Sequence, residues 1–70
     1  MTYAKAKSLL SPGDTVFIIE GERIVELTVL RIHRECLSVD GGYLYYDDIR
    51  ESWWLTMRGA TDALKRRNSF

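Results

Sequence analysis

The run from Arg23 to His33 alternates like a β-strand, and partway along it the alternation slips. Val25, Leu27 and Val29 are apolar, with Glu26 and Thr28 between them, so one face of this segment is apolar and the other polar. After Val29 the apolar positions become Leu30 and Ile32. The side-chain period of a strand is two, so a shift of one residue sends everything beyond it to the opposite face. A bulge or sharp bend near Val29–Leu30 repairs the pattern, and such bends are how small barrels turn corners. The slip therefore predicts a sheet that curls on itself.

The flanking segments supply the other strands. Ser11-Pro12-Gly13-Asp14 reads as a turn, with Pro12 fixing φ and Gly13 free to take the left-handed conformation. Thr15–Glu20 is short and rich in β-branched and aromatic residues, and Glu20-Gly21-Glu22 breaks it. Glu35–Val39 reads as a short strand with Cys36 or Leu37 facing inward. Asp40-Gly41-Gly42 suits a tight hairpin, and Tyr43–Tyr46 returns. Asp47-Asp48-Ile49 reads as a short turn of 3₁₀ type, and Ser52–Leu55 as a last strand with Trp53 and Trp54 on opposite faces.

Thr56 can then cap a helix from Met57 to about Arg67, with Met57, Ala60, Ala63 and Leu64 on one stripe. Gly59 weakens that helix by about 1 kcal/mol relative to alanine. Lys65, Arg66 and Arg67 complement its dipole. The predicted organisation is an N-terminal tail or short helix over 1–11, a small β-barrel over 12–55 and a C-terminal helix over 56–67. The fold class is mostly β: a small, SH3-like, partly open five-stranded barrel with a short C-terminal helix.

Seventy residues suffice for one domain. Ten basic and ten acidic residues cancel, which removes the simplest argument for a nucleic-acid binder. Cys36 is the single cysteine, so no internal disulfide forms, and a reducing, cytoplasmic setting is expected. No apolar stretch approaches the roughly 20 residues that span a bilayer, so no membrane partner is expected. No Gly-rich loop precedes a helix, and no cofactor or metal is expected.

Chemistry-bearing residues are few. Ser38, His33 and Asp40 could be arranged as a serine–histidine–acid set, but no elbow motif presents the serine, and the chain is not expected to be an enzyme. Cys36 reads as a small apolar core residue, and His33 as a half-exposed residue at a strand end. The densest feature is aromatic. Tyr43, Tyr45, Tyr46, Trp53 and Trp54 crowd the last hairpin and closing strand, more rings than a small core is expected to hold. Trp54 is expected under the helix and Trp53 at least partly exposed. The candidate partner-binding surface is Tyr43, Tyr45, Tyr46 and Trp53, rimmed by Asp47, Asp48 and Glu51. The function expected is a small non-catalytic protein-interaction module, or one that self-associates. The alternative is a small nucleic-acid-binding barrel using exposed aromatics and the basic C-terminal tail.

Four short motifs follow one another in order: Gly13-Asp14-Thr15-Val16, Ile24-Val25-Glu26-Leu27-Thr28-Val29, Gly42-Tyr43, and Trp54-Leu55-Thr56 with Ala60. Together they resemble a set of small uncharacterised bacterial and phage proteins of SH3-like barrel type. Those have a G-D-x-V opening and a closing F-L-T-type strand-to-helix motif. Leu27 stands where that pattern prefers glycine, and Gly59 where an acidic residue would complete a capping box with Thr56. The resemblance implies a fold, and the look of the chain suggests a phage or mobile-element origin; a phage-encoded chain of this size without catalytic groups is expected to act by occluding a host protein. The resemblance implies no catalytic activity.

Overall fold

The computed structural model describes residues 1–68. The chain runs through helix α1 (Tyr3–Leu9), strands β1 (Thr15–Glu20), β2 (Arg23–Ile32), β3 (Cys36–Val39) and β4 (Gly42–Tyr45), a 3₁₀ turn (Tyr46–Asp48), strand β5 (Trp53–Trp54) and helix α2 (Met57–Asn68). The strands form one antiparallel sheet in the order β4-β3-β2-β1-β5, curled into a half-barrel. The first four form a meander. After β4 the chain crosses to the far edge of the sheet, where β5 pairs with β1.

The expected bulge lies where the alternation slips. Val29 pairs with Val39, but Arg31 pairs with Ser38, leaving Leu30 as the extra residue. Before it, Val25, Leu27 and Val29 face the concave side; after it, Ile32 does so again. Leu30 itself does not join the apolar set: it stands 56% exposed on the convex side beside Arg31. The Ser11–Asp14 turn docks at the same point. Gly13 N–H donates to the Val29 carbonyl at 2.7 Å, with Gly13 at φ +99°, and Val29 N–H donates to the Asp14 carbonyl at 2.8 Å.

Two small cores result, one on each side of the sheet. The concave core gathers Val16, Val29, Leu37, Val39, Tyr46 and Trp53. Helix α1 covers it, burying Ala6 and Leu10. Thr2 caps α1 by accepting from Lys5 N–H. On the convex side, α2 packs over β1 and β5, where the half-buried Phe17 pairs with Trp54 in register and Ala60 is fully buried. Thr56 caps α2 by accepting from Gly59 N–H at 3.0 Å. Met57 departs from the expected stripe; it stands exposed in the first turn.

Trp53 closes the half-barrel. Its ring lies in the concave core with no exposed surface, and its Nε1–H donates to the Tyr45 carbonyl at 2.7 Å. One side chain thereby bridges the two edge strands. Along the same open seam a cleft of about 370 Å³ lies over Ile18, Leu27, Val39 and Leu44.

Candidate functional site

Helix α2 covers β1 and β5 on the convex face and touches β2, and among the described residues it leaves the far part of β2, with β3 and β4, bare. Register and pleat place Leu30, Arg31, Cys36, Ser38, Tyr43 and Tyr45 on that bare half. Tyr43 lies opposite Ser38, which lies opposite Arg31; Tyr45 lies opposite Cys36. Tyr43 is 63% and Tyr45 53% exposed. Both project from β4, an edge strand.

A polar pair sits among them. His33 Nε2 and Ser38 Oγ are 2.6 Å apart, and the His33 ring is tilted against Tyr43 with 6.3 Å between centroids. Asp40 does not complete a serine–histidine–acid set. Its Oδ1 accepts from Thr28 N–H at 2.6 Å, tying the β3–β4 hairpin back to β2. Among the described residues, no group of three or more His, Cys, Asp and Glu side chains is placed to hold a metal ion. Among the described residues, no helix is long and apolar enough to cross a membrane.

The seven residues expected at the partner surface separate into two sets. Tyr43, Tyr45, Asp47 and Glu51 are exposed and Asp48 is half-buried, while Trp53 and Tyr46 are buried. Those two are corrections. The expectation assumed one small core, whereas the sheet has apolar layers on both sides and α1 walls the concave one. That space holds Trp53, with its Nε1–H satisfied by Tyr45. It also holds Tyr46, whose hydroxyl donates to the His33 carbonyl. Burial pushes the Tyr46 phenol above its usual range, and the neighbouring Cys36 and Tyr3 add to the effect. Cys36 is likewise corrected: Leu37 takes the inward position, and Cys36 is half-buried on the convex face.

Tyr45 also lines a cleft of about 360 Å³ with Tyr46, Asp47, Tyr3, Arg34 and Glu35, joining the tyrosine face to the start of α1. Tyr3 and Leu30 belong to the exposed apolar surface and were absent from the expected set. Leu30 was readable from the phase slip, since the extra residue of a bulge has no partner to cover it. Tyr3 carries no such signal, because the way α1 lies against the sheet is a long-range matter.

No family model matches the chain, and no curated protein or solved structure matches it.

Proposed function

We propose that this chain is a small, non-catalytic protein-interaction module that binds its partner with the bare half of its convex face. The observation that carries the reading is the pair Tyr43 and Tyr45, exposed side by side on an edge strand that no helix covers, with Leu30 on the same face. Exposed tyrosines on a rigid strand offer large contact area at small entropic cost. Asp47 and Arg34, both exposed, supply a polar rim of mixed sign next to Tyr45. Zero net charge suits a protein partner better than a polyanion. The resemblance to small bacterial and phage proteins supports a mobile-element origin, the single cysteine a cytoplasmic setting, and the small size without catalytic groups action by occlusion of a host protein.

The test is comparative capture from a lysate of the cell that expresses the chain, using wild type and a folded Tyr43→Ser/Tyr45→Ser variant, quantified by mass spectrometry. If each tyrosine is an anchor, at least one captured protein falls by about ten-fold or more with the variant. Equal recovery of every protein by the two baits overturns the reading.

A further inference from the structure

A second cleft, of about 260 Å³, lies between α1 and the segment around β5; it shares Met1 with the cleft beside Tyr45 but none of the tyrosines. Its floor is Met1, Ile49 and Leu55, half-buried and packed against the concave core. Its rim is Leu9, which is 50% exposed, with Lys5 and Arg50. Among the described residues, no carboxylate lines it. Among the described residues, the side chains of Lys5 and Arg50 make no ion pair. Asp48 and Glu51 are close to Arg50 in the chain, and Asp62 borders a neighbouring cleft with Arg50, but none of the three lines this one.

Arg50 is also the one non-glycine residue at positive φ among those described, at +66°. Its N–H donates to the Trp53 carbonyl at 2.7 Å, and Ile49 bridges Trp53, so the turn is held there. Glycine fits that conformation at lower cost. A strained position that nevertheless carries a guanidinium at the lip of an apolar cleft points to a use for the charge.

We propose that this cleft receives one large apolar side chain from an acidic segment of a partner protein, whose flanking carboxylates pair with Lys5 and Arg50. The size sets the first half of the claim. The cleft is smaller than the roughly 300–1,000 Å³ of sites that enclose a small molecule, and it is open to solvent. It has room for a single side chain, with the rest of the contact supplied by the segment to which that side chain belongs. The charge sets the second half. An apolar floor alone accepts any hydrophobic residue, whereas a rim with two cations and, among the described residues, no carboxylate attracts acidic flanks and repels basic ones.

The probe is the peptide acetyl-Asp-Glu-Leu-Phe-Asp-Glu-amide, titrated into the full ¹⁵N-labelled chain at about 50 mM salt, where screening is weak. The expected result is saturable shifts of the Lys5, Leu9, Ile49, Arg50 and Leu55 amides. Binding weakens about ten-fold in Lys5→Gln/Arg50→Gln, whose remaining spectrum stays that of the folded chain. A peptide with serine in place of leucine and phenylalanine loses the same shifts. The Tyr43→Ser/Tyr45→Ser variant binds the probe as wild type does, so this site and the tyrosine face stand or fall separately. The proposal is overturned if a peptide with lysine at every acidic position shifts the same amides equally. It is overturned too if the shifts map to the tyrosine face, or if no shift appears at millimolar peptide.

Discussion

Tyr46 illustrates how one hydroxyl settles a side chain in a small core. Its ring lies in the concave layer and its O–H donates to the His33 carbonyl, so the phenol is buried without an unpaired donor. Removing the hydroxyl in Tyr46→Phe is expected to cost about 1 kcal/mol at neutral pH. The raised phenol pKa adds a pH signature. The folded state holds this proton more tightly than the unfolded one, whose tyrosine ionises near pH 10. The resulting stability is fully present below about pH 10 and is lost as pH rises through the folded-state value. Urea midpoints of wild type and Tyr46→Phe should therefore differ at pH 7 and draw together above about pH 10. A gap that stays constant across that range would show that the phenol does not titrate differently in the two states.

At the scale of elements, α2 depends on a contact between its cap and its third residue. Thr56 Oγ1 accepts from Gly59 N–H, and a Cβ added at Gly59 would stand 3.2 Å from that oxygen and 3.4 Å from the Trp54 ring. Alanine at 59 gains about 1 kcal/mol of helix propensity, but it crowds an oxygen held in place by its own hydrogen bond. Thr56→Ala loses about 1 kcal/mol of capping. Gly59→Ala is thus expected to change stability little in wild type. It should recover close to the full propensity gain in the Thr56→Ala background, where the crowded oxygen is gone. Denaturant unfolding of the four chains measures the coupling, and strict additivity would remove the crowding argument. The acidic residue that a capping box prefers at this position would meet the same obstacle.

For the whole molecule the decisive side chain is Trp53, which fills the concave core and joins the edge strands β4 and β5 through the Tyr45 carbonyl. Trp53→Phe removes the donor and leaves a void, and should cost about 1–3 kcal/mol by urea unfolding. Tyr43→Ser, on the bare face, should stay within about 0.5 kcal/mol of wild type. Equal costs for the two would contradict the division of rings between core and surface. That division gives the molecule its asymmetry: α1 covers the concave side, α2 covers half of the convex side, and the tyrosine face is what remains.

Much of this architecture was legible in the order of residues. Strands β1 and β2, the bulge at Leu30, the Gly13 turn and the Thr56 cap all follow from local rules: a side-chain period of two, a φ that glycine takes freely, and a hydroxyl three residues ahead of an N–H. The opposite facing of Trp53 and Trp54 follows from the same period. Which rings would be covered did not follow, because burial depends on what the rest of the chain lays against each face. The seven residues of α1 carry no pattern that says where they dock, yet their docking turns the concave side into a core deep enough for Trp53 and Tyr46. Local spacing determines which way a side chain points, and only the packing of distant segments decides whether anything meets it there.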